Sequence, residues 1–349
     1  AENVERCGEA HGLQIARKTI SLSRTDLDPR DAARAVVYTV NRFARSDDSS
    51  FDLQNLDDGY EKMLAETAAR IAECKTTIAD NAIKFALQPI VDLETRKIAR
   101  YEMLSRIDGY PSPFQFMTFA EEVGLIADVD LHVCQQALVR LTTDARLAAI
   151  PVAVNLSGRS LQADRFVEAL FALLRNTPAE LRDRLTFEIT ESAQIHDLEG
   201  VSKVIAALRK EGFEIGLDDF GAGSNSFSTL YRLDVDFIKI DGDYVSRIMD
   251  SARDVAMLKA MVGLARDLGI PTVAERIENE AQARKVQALK VNYGQGYLFG
   301  KPELHPQDLP QIATGRKAPP REAELAADQT ARPAASTVAR HDGKDWIWD

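Results

Sequence analysis

The strongest constraint on the fold is a series of short apolar runs that recur between amphipathic stretches after Asn81. They are KFALQPIVDL, IARYEMLSRI, PVAVNLS, RLTFEITES, EIGLDDFG, VDFIKID, PTVAERIE and VNYGQGYLFG, eight in all. Most are separated by segments with apolar residues at helical spacing, such as ADVDLHVCQQALVRLTTDARLA and SARDVAMLKAMVGLARDLG. Strand and helix alternating in this way predict an α/β fold of the TIM-type (β/α)8 barrel class. One connection departs from the pattern. Only ETR lies between QPIVDL and KIARYEML, too short for a helical crossover, so the first strand is expected to run antiparallel to the second.

The flanks read differently. Residues 1–57 offer one strand-like run, LQIARKTISLS, and one amphipathic helix, DPRDAARAVVYTVNRFARS, opened by Asp28 and Pro29. A small α/β or helical region is thus expected ahead of the barrel. SDDSSFDLQNLDDG reads as polar linker, and residues 58–81 are expected to form a connecting helix, clearest from Tyr60 to Asn81. The barrel is expected over residues 82–314. Residues 315–349, rich in Ala, Pro and charge and closing on DWIWD, are expected to be a disordered tail.

Composition narrows the function. A net charge of -11 disfavours broad electrostatic binding to duplex DNA or anionic membrane. Cys7, Cys74 and Cys134 lie far apart with no C-x-x-C pair, which gives no zinc signature and favours a reducing, cytoplasmic location. No stretch approaches the roughly 18 consecutive apolar residues of a membrane span. The chain begins at Ala1 without the apolar core of a targeting segment and is expected to be a fragment of a longer protein. There is no G-x-x-x-x-G-K phosphate loop and no G-x-S-x-G nucleophile elbow, and Gly221 with Gly223 lacks the third glycine of a dinucleotide fingerprint.

The ends of the expected strands are where the chemistry concentrates. Glu102 lies in YEMLSR, Asn155 in VAVNLS, Glu188 in FEITES, Asp218 and Asp219 in LDDFG, Lys239 in IKID, Glu275 in VAERIE and Gln295 in YGQGY. In a parallel barrel such ends converge on one rim. Singly, each is more simply a turn former, a cap or a surface residue; an Asp-Asp pair before glycine is usually a turn. Jointly they bring several carboxylates into one cup with one lysine, an arrangement that is costly unless protons or cations neutralise it. An all-oxygen donor set suits hard ions, so two Mg²⁺ or Mn²⁺ ions are favoured over zinc, with an Asp218 or Asp219 carboxylate able to bridge them.

These motifs, QPIVDL, YEMLSR, VNLS, FEITES, LDDFGAGSNS, IKID, VAERIE and QGYLFGKP, resemble in order those of the EAL-domain phosphodiesterases that hydrolyse cyclic di-GMP, a bacterial second messenger, to linear pGpG. The resemblance covers residues from about Ala82 to Pro302. It implies a modified barrel with an antiparallel first strand, in agreement with the short ETR connection. It also implies that Glu102, Asn155, Glu188 and Asp218 ligate one metal, and that Asp218, Asp219 and Glu275 serve a second. Lys239 would orient the attacking water or stabilise charge on the phosphate, Glu275 would act as ligand or general base, and Gln295 would complete the site. Gln88, Leu104 and Arg106 would contact the nucleotide, and Glu191 would anchor the loop after LDDFG. Homodimerisation is implied as well.

The sequence departs from the family at Met103, where the signature has alanine, at Arg276, where glycine is common, and at Ser224 and Asn225 of the GAGSNSF loop. A module that binds the nucleotide without cleaving it is the alternative reading. Such modules usually lose metal ligands, and every metal-site position is kept here.

Overall fold

The computed structural model describes Val36, Thr39 and residues 56–304 apart from 111, 145–146, 148–149, 191–194 and 224–225. Val36 and Thr39 are helical, as expected of the segment that contains them. The rest of the N-terminal expectations and the tail lie outside the described residues. The connecting helix α1 runs Leu56–Ala79, four residues earlier than Tyr60, so the end of the supposed linker is helical.

Eight strands form a closed barrel in chain order. They are β1 Lys84–Asp92, β2 Ile98–Arg106, β3 Val152–Ser157, β4 Leu185–Thr190, β5 Glu214–Phe220, β6 Phe237–Ile240, β7 Thr272–Ala274 and β8 Tyr293–Gln295. β1 is antiparallel to both its neighbours, β2 and β8, and every other pairing is parallel. The Asp92–Lys97 turn that makes this possible is held by Asp92 Oδ1, which accepts from the backbone N–H of Glu94 and Thr95.

The outer helices are α2 Pro113–Glu122, α3 Ile126–Thr143, α4 Asp164–Arg175, α5 Ala179–Arg182, α6 Leu198–Lys210, α7 Ser226–Arg232, α8 Gly242–Ser246, α9 Ala252–Asp267 and α10 Glu280–Ala288. Polar side chains start several of them. Asp197 accepts from Gly200 N–H, Ser251 from Asp254 N–H and Asn279 from Gln282 N–H, satisfying donors that a helix leaves open. The helices bury one stripe each against the barrel, as with Phe166, Leu170 and Leu174 of α4. Cys74 and Cys134 are free and buried. Among the described residues no helix is long and apolar enough to cross a membrane.

Strand register decides which residues face the barrel interior, because side chains alternate with a period of two. Gln88 pairs with Glu102, Glu102 with Ala153, Asn155 with Glu188 and Glu188 with Gly216. Gly216 pairs with Phe237, Lys239 with Val273 and Val273 with Tyr293. One continuous inner layer results. The absence of a side chain at Gly216 makes room for the Phe237 ring, since an added Cβ would stand 2.3 Å from Phe237 Cζ. Below this layer Arg100 forms two hydrogen bonds to Glu214 at 2.9 and 3.0 Å and lies 4.3 Å from the Phe237 ring centre. The barrel floor is therefore a paired and stacked plug, and the open chemistry is left to the other end.

Candidate metal centre and nucleotide cavity

The same register carries Glu102, Asn155, Glu188, Asp218, Lys239 and Gln295 inward toward the carboxyl ends of the parallel strands. Glu188 is 0% exposed and Lys239 1% exposed. Lys239 Nζ lies 3.2 Å from Glu102 Oε2, 3.0 Å from Glu188 Oε2, 3.0 Å from Asp218 Oδ1 and 2.9 Å from Glu275 Oε1. Glu102 is oriented further by Asn155 Nδ2, which donates to its Oε1 at 2.6 Å, and by Gln295 Nε2, which donates to its Oε2 at 2.6 Å. Gln295 Nε2 also donates to Gln88 Oε1 at 3.1 Å, tying β8 to β1.

Adjacent residues of a strand normally point to opposite faces, so Asp218 and Asp219 ought not to share a site. The β5–β6 register shifts between Leu217 and Phe220, and Asp219 takes φ 55°, a left-handed conformation rare outside glycine. This bulge brings Asp219 back to the side of Asp218 and Glu275, where ligand atoms of all three lie within 4.8 Å of one another. Oxygens of Glu102, Glu188 and Asp218 form a second such group, with Asp218 common to both. The following turn uses Gly221 at φ 102°, clasped by Tyr244 Oη donating to its carbonyl.

Burial and crowding alter these acids. Burial raises the Glu188 carboxyl well above the ordinary range, with Glu102 and Asp218 reinforcing it against the pull of Lys239. Burial and the Glu102 charge likewise raise Asp218. Glu275 is pushed up to about 8 and Asp219 to about 6, chiefly by burial, with Asp218 adding to both. For Glu102 burial is also the largest influence, yet Lys239, Gln295 and Asn155 together outweigh it and hold the carboxyl below its usual value. Burial opposes the Lys239 ammonium, but Asp218, Glu102, Glu188 and Glu275 keep it charged far into the alkaline range.

Above the cluster opens a cavity of about 350 Å³ lined by Gln88, Glu102, Leu104, Asp218, Lys239, Glu275, Arg276, Glu278, Gln295, Gly296 and Tyr297. Of the residues expected to contact a nucleotide, Gln88, Leu104 and Gln295 line it. Arg106 does not; its Nη1 donates to the carbonyl of Ser105 at 2.8 Å. Asn155, Glu188 and Asp219 are not lining residues; Asn155 donates to Glu102, and Glu188 is fully buried. Glu191, Ser224 and Asn225 lie outside the described residues. Glu278 and Tyr297 were not singled out from the sequence, although both lie within the runs PTVAERIE and VNYGQGYLFG; they fall just beyond the observed ends of β7 and β8, where rim residues of a barrel are found.

A sequence model for the EAL domain matches residues 71–302. The chain belongs to the EAL domain family. "Cyclic di-GMP phosphodiesterase PdeB" of Shewanella oneidensis is 34% identical over 252 residues, spanning 70% of this chain and 29% of that protein. "Cyclic di-GMP phosphodiesterase PdeF" of Escherichia coli is 30% identical over 248 residues, spanning 70% of this chain and 33% of that protein. The chain thus spans about a third of the length of these curated relatives. Among solved structures, "PaMucR Phosphodiesterase, c-di-GMP complex" is 30% identical with a TM-score of 0.60, covering 67% of this chain and 97% of that one. The FimX EAL domain from Pseudomonas aeruginosa, bound to c-di-GMP, shares the fold at 24% identity and a TM-score of 0.61, covering 69% of this chain and 99% of that one.

The EAL domain cup fits hard cations on its own geometry. Among the described residues, Glu188 Oε1, Asn155 Oδ1 and Gln295 Oε1 are buried without a hydrogen-bond donor, and Glu188 Oε2 has only the ion pair with Lys239 at 3.0 Å. Buried acceptors without partners are costly unless an ion or water supplies what is missing. Five carboxylates and one ammonium carry a formal excess of negative charge that two dications would cancel. Without such ions, the raised acids show the alternative means of relief, which is holding protons. The donors are oxygens throughout, and Met103 of this domain is buried at 2% exposure, so the larger side chain at the signature position is accommodated within the core.

Proposed function

We propose that this EAL domain hydrolyses cyclic di-GMP to linear pGpG with two Mg²⁺ or Mn²⁺ ions. The observation that carries the reading is the gathering of Glu102, Glu188, Asp218, Asp219 and Glu275 around Lys239 beneath a cavity of about 350 Å³, in the range of small-molecule sites. The names of the relatives support the choice of substrate, and the all-oxygen donors support the choice of ions. Glu102, Asn155, Glu188 and Asp218 would hold one ion, and Asp218, Asp219 and Glu275 the other. When bound, such ions lower the pKa of water and neutralise phosphoryl oxygens.

The chain's own residues do the rest. Lys239, fixed by carboxylates on four strands or strand ends, presents a positive charge to the phosphate as negative charge builds on it. Glu275 takes the proton of the attacking water as the water oxygen bonds to phosphorus. The bond from phosphorus to the ribose 3′ oxygen breaks, a proton from solvent water converts that oxygen to the 3′ hydroxyl, and Glu275 then returns its own proton to solvent. Gln88, Leu104 and Gln295 would position the nucleotide, Arg106 would reach it on turning away from the Ser105 carbonyl, and Glu191 would anchor the loop after β5. The domain would work in the cytoplasm, in keeping with its free cysteines, and as a homodimer, which rests on the family resemblance.

Incubating the protein with cyclic di-GMP and Mn²⁺ or Mg²⁺, and following products by chromatography, tests the proposal. Linear pGpG should accumulate, and chelator or Glu275→Ala should abolish it. Binding without product would instead assign the chain to the silent nucleotide-binding modules; neither binding nor product would overturn both readings.

A further inference from the structure

The backbone of Arg276 takes φ 52°, a left-handed conformation that is strained in any residue with a side chain. Hydrogen bonds hold it on both sides: Glu275 N–H donates to Ile240 O at 3.4 Å and Ile277 N–H to Gln295 O at 3.0 Å. Its side chain then lies across Gly242, where an added Cβ would stand 2.3 Å from Arg276 Cγ. At its tip Nη1 donates to Asp243 Oδ1 at 2.6 Å. Arg276 is one of the residues that line the cavity, as Gly296 and Tyr297 are, and 63% of its side chain is exposed.

The charges around it give this placement a use. Of the cavity-lining residues, Glu102, Asp218, Glu275 and Glu278 are acidic, and Lys239 and Arg276 are basic. Lys239 lies at the base of the cup, 1% exposed and already paired with four carboxylates. Arg276 is the cation of this wall that a ligand can reach from solvent. We propose that Arg276 is a specificity-determining residue that grips the second, uncleaved phosphate of a cyclic dinucleotide, a role that rests on such a dinucleotide being the ligand. The two phosphates of that ring stand on opposite sides of it, so when one lies over the carboxylate cup the other is carried toward the rim. There an acidic wall would repel it. A guanidinium offers five N–H donors, and the contact with Asp243 leaves others for phosphate oxygens.

The test is steady-state kinetics and equilibrium binding of cyclic di-GMP to the unsubstituted chain and to Arg276→Gly, Arg276→Gln and Arg276→Lys. Arg276→Gly and Arg276→Gln should raise KM and Kd about tenfold, with kcat within about twofold because the cup is untouched. Arg276→Lys, which keeps the charge and loses the planar fork, should recover most of the affinity, and the salt dependence of binding should flatten only in the uncharged variants. The thermal midpoint of Arg276→Gly should be no lower than that of the unsubstituted chain, since glycine accepts φ 52° freely. Unchanged KM and Kd in the uncharged variants, or a lysine variant as weak as the glycine one, would overturn the phosphate contact. Failure of the unsubstituted chain itself to bind the dinucleotide would overturn the functional reading, and the contact with it.

Discussion

Lys239 Nζ lies 3.0 Å from Glu188 Oε2, an ammonium and a carboxylate from β6 and β4 that are both sealed from solvent. Each is tolerable because of the other and of the acids around them. Replacing Lys239 by methionine should therefore leave buried carboxylates without their counter-charge, at about 3–5 kcal/mol of stability in chelator near pH 8. Urea denaturation measures the loss, and Mg²⁺ or Mn²⁺ should recover a larger part of it than it adds to the unsubstituted chain. An equal metal effect on both proteins would show that the ions do not share the lysine's carboxylates.

Metal-free stability should fall as pH rises. Glu275 is raised from 4.5 to about 8 and Asp219 from 3.8 to about 6, so the folded state holds protons that the unfolded chain has released. Their contribution is fully present below about pH 4 and is lost progressively as pH rises through 6 and then 8. Glu102, held below its usual value, works in the opposite direction but only in the acid range. Denaturant midpoints measured in chelator between pH 5 and 8 should decline. Saturating Mn²⁺ should flatten or reverse the decline, because ions compete with protons for the same oxygens.

The barrel floor should be separable from the cup. Arg100→Ala removes the bonds to Glu214 and the contact with the Phe237 ring. The Glu214 side chain is 42% exposed, which limits the cost to about 1–3 kcal/mol. Turnover at a temperature where the variant is folded should match the unsubstituted chain within about twofold, whereas an equivalent loss of stability with abolished turnover would mean that floor and cup are coupled.

Gly216→Ala should destabilise by about 1–3 kcal/mol through overpacking, because its methyl would meet the Phe237 ring at 2.3 Å. Combining it with Phe237→Leu should be less damaging than the sum of the two single changes, as a double-mutant cycle would read out.

Much of this was legible in the sequence because the informative pattern was coarse. The alternation of runs gave the barrel, and the three-residue ETR link alone specified an antiparallel β1. Strand ends were less legible. PTVAERIE reads as one apolar run, yet β7 stops at Ala274 because Arg276 turns left-handed two residues later, and β8 stops at Gln295 where Gly296 closes on the Ile277 backbone. Neither turn leaves a periodic trace. The bulge that returns Asp219 to the cup was equally hidden, since a register shift against β6 and a single positive φ interrupt the period of two that the sequence pattern follows. Glu278 and Tyr297 line the cavity through loop positions, to which strand periodicity does not extend.

The central claim is that oxygen donors from β2 to β7 surround divalent ions. Anomalous scattering from crystals soaked in Mn²⁺ addresses it most directly. Two peaks are predicted, one among Glu102, Asn155, Glu188 and Asp218 and one among Asp218, Asp219 and Glu275, both absent after chelation. A protein that cleaves cyclic di-GMP with no manganese peak in this cup would contradict the account.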